Sequence, residues 1–262
     1  MEKINPDGFF YTDRDRITRQ SAQIVMSHLL PNLYVKSAID IGCGVGTWLS
    51  VLNDDYGVSD LKGLDGEWVD PALLKISTEQ FTTVNLADGS SLISQLSRRW
   101  DLAISLEVAE HLPPECAYDF VRSLTVSAPL VLFSAAIPTQ GGHGHLNEQW
   151  PEYWAELFSR LGYICCDGIR PSVWWDDCVL QQYRQNTLLF AEPLLVEENR
   201  WLSEIAARTS RQVLSMVHPL YWLQRANPPM PSVRVAMGLT RRCIGRAVMR
   251  GVSVLVGRKR SI

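Results

Sequence analysis

Asp40-Ile41-Gly42-Cys43-Gly44-Val45-Gly46-Thr47-Trp48 decides the fold of this chain. A largely apolar run, Val35 to Ile39, enters it and a helical pattern leaves it. Extended chain passing through a glycine-dense turn into a helix is a nucleotide-cofactor loop. Gly42, Gly44 and Gly46 let the backbone turn sharply and approach a ligand with no Cβ in the way. The helix beginning near Thr47 points unpaired N–H groups into the crevice. The spacing is G-x-G-x-G, not the G-x-G-x-x-G of dinucleotide binders, and Asp40 stands at the strand end. That carboxylate would repel a pyrophosphate and attract a ligand bearing an ammonium and a sulfonium.

The flanking sequence alternates between strand and helix patterns. Residues 13–30 carry Ile17, Ala22, Ile24, Val25 and Leu29 on one side, predicting an amphipathic helix stopped by Pro31. Strands are expected at 35–41, 58–64, 81–86, 100–106, 130–136, 163–166 and 187–191. Helices are expected at 47–53 and 90–98, from Pro113-Pro114 to Val126, and from Pro151 to Gly162, with proline in its favoured first turn. This order predicts an α/β fold with a doubly wound, mainly parallel sheet of seven strands. Residues 1–34 form an N-terminal arm and helix, 35–195 the body, and 196–262 a helical extension. Within the extension, 196–225 reads as one or two helices and 226–232 as a proline-rich linker. A last helix at 239–257 places Ile244, Val248, Val252 and Leu255 opposite Arg242, Arg246 and Arg250.

At 262 residues, 46% apolar and 20% charged, the chain can bury a sizeable core. Its six cysteines lack ligand spacing, so no structural zinc is expected. The charged N-terminus has no apolar signal-peptide core, and no run reaches membrane-span length, which together predict a reducing, cytoplasmic setting. Charge is uneven: residues 1–192 carry 13 basic against 25 acidic groups, while 193–262 carry 12 against 3, net −12 and +9. An acidic body argues against a nucleic-acid substrate.

Asp40 to Gly46, Asp65 nineteen residues further on, Asn85-Leu86 and Leu106-Glu107-Val108-Ala109-Glu110-His111-Leu112-Pro113 occur in an order that resembles the class I S-adenosylmethionine-dependent methyltransferases. The resemblance covers about residues 35–192. It implies a Rossmann-like methyltransferase fold and S-adenosylmethionine as cofactor. It also implies cofactor contacts from Asp40, Gly42, Cys43, Gly44, Gly46, Asp65, Asn85, Leu86 and Glu107. Asp65 takes the place of the acid that grips the ribose hydroxyls. Asn85 stands where the family usually has an acid facing the adenine amine, and its amide oxygen can still accept. A nicotinamide oxidoreductase is disfavoured by the glycine spacing and by Asp40.

Ligands of such sheets sit beyond the carboxyl ends of the strands, so the acceptor chemistry is sought in three loops. The loop after the fifth strand holds His143, His145, Asn147 and Glu148 among three glycines. Imidazole titrates near neutrality and suits removal of a hydroxyl proton. His145 is therefore the first choice of general base, with Glu148 orienting it or the substrate, and His111 backed by Glu110 is the second. His143 and Asn147 are candidate substrate contacts. The glycines make a poor preformed cage for a metal held by His143, His145, Glu148 and Glu110, and none is expected. Trp174 and Trp175, beside Asp176 and Asp177, offer aromatic faces to a sugar ring. The stretch from Gly141 to Tyr163, with Arg170-Pro171 and Tyr183 to Asn186, resembles a bacterial branch associated with surface-polysaccharide or glycosylated-metabolite pathways. The reading is methyl transfer to a small-molecule or carbohydrate-type hydroxyl. The alternative is a non-catalytic cofactor-binding or scaffolding subunit of a glycan pathway. The basic tail suits self-association with the acidic body or a second subunit, or an anionic inner-membrane surface.

Overall fold

The protein is described here by a computed structural model covering residues 8–226. The strands are β1 (Ser37–Ile41), β2 (Asp60–Asp65), β3 (Phe81–Thr83), β4 (Leu102–Leu106), β5 (Leu130–Ser134), β6 (Ile164–Cys166) and β7 (Leu188–Ala191). They form one seven-stranded sheet in the order β3-β2-β1-β4-β5-β7-β6. Pairings from β3 through β5 are parallel, and β7 runs antiparallel to both β5 and β6. The expected doubly wound, mainly parallel architecture is the one observed.

The helices are α1 (Gly8–Leu29), α2 (Thr47–Tyr56), α3 (Gly89–Ser94), α4 (Ala117–Ser127), α5 (Pro151–Arg160), α6 (Arg170–Val173), α7 (Gln181–Asn186), α8 (Pro193–Glu198), α9 (Arg200–Arg208) and α10 (Pro219–Ala226). Successive residues of the central strands feed opposite cores, as the two-residue period of a strand requires. Leu102, Ile104, Leu130 and Leu132 pack with Val25 and Leu29 of α1, Leu49 and Leu52 of α2, and Leu202 of α9. Ala103, Val131 and Phe133 pack with Phe120 and Leu124 of α4 and with Trp154 and Phe158 of α5. Covering both faces explains why β4 and β5 read as continuous apolar runs.

Several boundaries differ from expectation for identifiable reasons. The Asp101 carboxylate accepts from the backbone N–H groups of Lys36 at 2.8 Å and Ser37 at 2.9 Å, so β1 starts at Ser37 rather than Val35. The Trp100 N–H donates to the Ser127 carbonyl, so β4 starts at Leu102. β3 is only three residues long, because the chain turns at Asn85, whose side-chain oxygen accepts from the Ala87 N–H. The body does not end near 195. Val196 of α8 and Leu202 of α9 join the core, and the compact unit runs to His218. A second unit starts at Pro219, and its described part is α10. Residues 196–225 thus hold most of three helices rather than one or two. The linker beyond Ala226 and the expected helix at 239–257 lie outside the described residues.

After β1 the chain moves outward to β2 and β3, then returns to place β4 on the other side of β1. This reversal opens a crevice at the carboxyl ends of β1 and β4, the place where such sheets bind ligands.

Candidate active site

The glycine loop is shaped by contacts that only glycine permits. Gly42, Gly44 and Gly46 have φ of 92°, 54° and 83°, all left-handed. A Cβ on Gly42 would overlap the Val108 side chain, whereas a Cβ on Gly44 would meet nothing within 4 Å. Gly42 is therefore glycine for packing, and Gly44 leaves space on the crevice side. The Gly42 and Cys43 N–H groups donate to the Leu64 carbonyl at 2.8 and 3.2 Å, tying the loop to the end of β2.

Asp65 closes β2, where its two carboxylate oxygens accept from the Gly44 and Gly66 N–H groups, each at 2.6 Å. Lone pairs remain on each oxygen for ligand hydroxyls. Asp40 is 2% and Asp65 4% exposed. Burial, with the neighbouring Asp65 charge, holds the Asp40 carboxyl well above the ordinary carboxylate range. Burial also raises Asp65, against the hydrogen bonds from Gly66, Gly44 and Trp68. Two buried acids near one another are relieved by a positively charged ligand. With the space at Gly44, this makes the residues fit S-adenosylmethionine. Cys43 is buried, and burial beside Asp40 and Asp65 pushes its thiol well up, leaving it inert. Trp68 was not anticipated from the sequence. Its ring lies over Gly66, next to Asp65, and is 73% exposed. Leu86 is buried, while Asn85 is exposed with its amide oxygen turned to its own loop.

Glu107, first after β4, has φ of 57°, a strained value for a non-glycine residue. The strain is held by its surroundings. Its N–H donates to Ser134 on β5, and its carboxylate accepts from Gln140 Nε2 at 2.7 Å and Asn186 Nδ2 at 3.0 Å. Burial nonetheless raises its pKa. Gln140 and Asn186 were missed by sequence reading, because the contact to Asn186 spans 79 positions.

The loop after β5 is ordered by two carboxyl-bearing residues. Glu148 accepts from the Thr139 and Gly141 N–H groups, both at 2.8 Å, and lies 2.8 Å from His145 Nδ1. Burial works to raise Glu148, but the His145 hydrogen bond and the two backbone donors outweigh it and hold the carboxyl below its ordinary range. The Glu110 carbonyl accepts from the Leu146 and Asn147 N–H groups at 2.7 and 3.0 Å. The His145 ring therefore sits edge-on to the His111 ring, with centroids 4.8 Å apart. Glu110 itself is 1% exposed, and neither side-chain oxygen has a partner at hydrogen-bond geometry. Burial and the Glu107 charge push its pKa up to about 9, against only the weak pull of the Glu110 and Ala136 N–H groups.

The structure thus brings Glu110, His111, His145 and Glu148 together. It treats the substrate candidates differently. His143 is exposed. Asn147 is 2% exposed, its amide oxygen accepts from Gln149 Nε2 at 2.9 Å, and its amide nitrogen is buried without a partner. The Trp174 carbonyl lies 2.7 Å from Nε2 of buried His218, and the Trp174 and Trp175 rings contact the same imidazole. Trp175 is 66% exposed, while Asp177 pairs with Arg184 at 2.7 Å and Asp176 accepts from the Cys178 N–H at 2.9 Å.

Residues 13–156, more than half of the chain, match the profile of a family described as a methyltransferase domain. No curated protein matches the sequence. Among solved structures, an O-methyltransferase family protein from Burkholderia thailandensis is similar at a TM-score of 0.50 and 16% identity, over 70% of this chain and 58% of that one. The chain therefore spans little more than half the length of that protein. The magnesium protoporphyrin IX methyltransferase of Synechocystis, solved with S-adenosylhomocysteine (SAH), has a TM-score of 0.49 and 19% identity, over 72% of this chain and 89% of that one. A SAM-dependent methyltransferase from Archaeoglobus fulgidus follows at 0.47 and 18%, over 60% and 75%. At such identities the likeness concerns the sheet and its helices, which the Burkholderia protein shares. The profile match goes further: the chain belongs to the methyltransferase-domain family.

Proposed function

We propose that the protein methylates a hydroxyl group of a small-molecule or carbohydrate-type acceptor, with His145 as the group that relieves the acceptor of its proton. The observation that carries this reading is the contact of His145 Nδ1 with Glu148, itself fixed by two backbone donors. S-adenosylmethionine, when bound, supplies a methyl group on sulfonium sulfur, which leaves as the neutral thioether when the carbon bonds to the acceptor oxygen. Asp40, Asp65 and the glycine loop would hold that cofactor. The rest falls to residues that position the acceptor and take its proton. With Glu148 accepting from Nδ1–H, the tautomer assigned to His145 leaves Nε2 as the basic nitrogen. Exposed Trp175 supports a sugar-bearing acceptor, since an indole face packs on the apolar face of a pyranose.

An assay counting SAH released against glycosides, alcohols, phenols and amines tests the reading. We expect turnover with hydroxyl acceptors, lowered about 10²–10⁴-fold in His145→Ala with SAH affinity kept. Methylation of amines alone would overturn the hydroxyl assignment.

We further place the protein on the cytoplasmic side of a surface-polysaccharide or glycosylated-metabolite pathway. Its basic region from 193 on carries net +9 and suits an acidic protein surface or anionic lipid headgroups. Among the described residues, no helix is long and apolar enough to cross a membrane. Sedimentation with anionic vesicles, comparing the full chain with one ending near residue 232, separates these destinations. Recovery in the supernatant at every salt concentration would exclude the lipid.

A further inference from the structure

We propose that Glu110, His111 and His145 bind one divalent transition-metal ion at the acceptor side of the crevice. One ligand atom from each of the three lies within 4.8 Å of the other two. The inference rests on the reading of this cluster as the acceptor site and refines it: with an ion bound, His145 would hold the metal, and the acceptor hydroxyl, made more acidic by the ion, would release its proton to water.

Glu110 carries the inference furthest. Its carboxyl is 1% exposed, and neither oxygen has a partner at hydrogen-bond geometry, only the distant Glu110 and Ala136 N–H groups, an expensive arrangement for a buried carboxyl. Such a group calls for a proton or a cation. Beside it stand two imidazoles, which are neutral ligands for a divalent ion. The charge around the cluster is negative, since Glu107 and Glu148 flank it and both hold their own donors. Those two acids are committed elsewhere, so they complement the ion without competing for it.

The geometry asks little of the fold. Bonds of about 2.0–2.2 Å bring neighbouring ligand atoms to roughly 3.0–3.5 Å, so the three must close by about 1–2 Å. Side-chain torsions of His111 and His145 can supply this. With His145 Nδ1 against Glu148, Nε2 is the ring nitrogen left for the ion, and a small rotation would bring it away from Gly142, against which it packs. A carboxylate behind a ligating imidazole is the usual arrangement that fixes ring orientation. Two imidazoles and one carboxylate favour manganese, iron, cobalt or zinc over calcium or magnesium. Three protein ligands leave coordination positions for acceptor oxygens. The ligand class is therefore an oxygen-rich acceptor.

The sequence argued against a metal because the glycines around His143 and His145 offered no rigid cage. The folded loop changes that balance. Glu148 ties Thr139, Gly141 and His145 together, the Glu110 carbonyl holds residues 146 and 147, and His111 takes the place that His143 was given.

The test uses the full chain, stripped with chelator and titrated with Mn²⁺ while the free-ion signal is followed by electron paramagnetic resonance. We expect loss of that signal to saturate at one equivalent. Glu110→Gln and His111→Ala should each weaken binding by at least about tenfold, and His143→Ala should leave it unchanged. SAH affinity, measured by calorimetry on the same samples, should persist in all three, which shows that they are folded. An undiminished free-ion signal with wild-type protein that binds SAH overturns the ion site and leaves the methyltransferase reading standing. Equal binding by wild type and Glu110→Gln also overturns it, because the ion then sits elsewhere. Saturable Mn²⁺ binding lost in Glu110→Gln, but no transfer to any hydroxyl acceptor, supports the ion site and overturns the acceptor assignment.

Discussion

Asp40 is a residue whose burial costs stability, and the proposed function gives that cost a use in binding. Its folded-state pKa lies well above its ordinary value, so the folded protein takes up a proton more readily than the unfolded chain. Stability linked to this group is therefore lost as pH rises from the unfolded pKa near 4 toward the folded value, and the full penalty applies above it. Asp40→Asn should raise the Tm of the ligand-free protein at pH 7.5 by about 2–4 °C, with a gain that shrinks as pH falls. The same substitution should weaken S-adenosylmethionine binding. Scanning calorimetry at several pH values checks both signs, and an unchanged Tm at neutral pH would show that the carboxyl is not penalised. Gly42 and Gly44 make a second contrast. Gly42→Ala should destabilise by about 1–3 kcal/mol in denaturant titration, because its Cβ overlaps Val108 at a left-handed φ. Gly44→Ala carries the cost of a left-handed φ but has no protein neighbour to strike, so it should destabilise less than Gly42→Ala while also lowering cofactor affinity.

At the scale of elements, the proposed function depends on how the loops after β4 and β5 are held. Glu148 is the pin of the second loop, with three contacts inside residues 139–145. Glu148→Ala should speed hydrogen exchange across 139–148 and lower turnover by about 10²-fold, leaving SAH affinity within a factor of two or three. Unchanged exchange would mean the glycines alone set the loop. This part of the site was legible in sequence because His145 and Glu148 are three positions apart and chemically matched. The Glu107 network was not. Gln140 and Asn186 lie 33 and 79 positions away, and only the closing of β7 against β5 brings Asn186 to the strand end. The glycine loop with Asp65 was legible for the opposite reason: an apolar strand, a turn and a helix follow one another directly. Element ends were less so, since they are set by individual side chains such as Asp101, which period and propensity do not reveal.

At the largest scale, the described part of the unit ending at His218 is a sheet covered on both faces by helices. Its sequence pattern predicted the layers but ended the body too early. α8 and α9 have the composition of an exposed extension, yet Val196 and Leu202 enter one core and Leu214 the other. Buried Arg170 donates to the Leu214 carbonyl at 2.8 Å, and Gln185 to that of Met216 at 2.7 Å. A chain ending after His218 should therefore keep its cooperative melt and bind SAH, whereas one ending at 195 should lose both. Circular dichroism melting checks this. Folding of the shorter chain would mean these contacts are dispensable.

The central claim is that the pocket between Asp40 and Asp65 holds S-adenosylmethionine, and calorimetric titration of SAH into wild type and Asp65→Ala measures it most directly. One equivalent bound by wild type, weakened at least about tenfold by the substitution with the melt preserved, is the result the account predicts. No heat of binding to folded wild-type protein at millimolar SAH, or equal affinity in the two proteins, would contradict it.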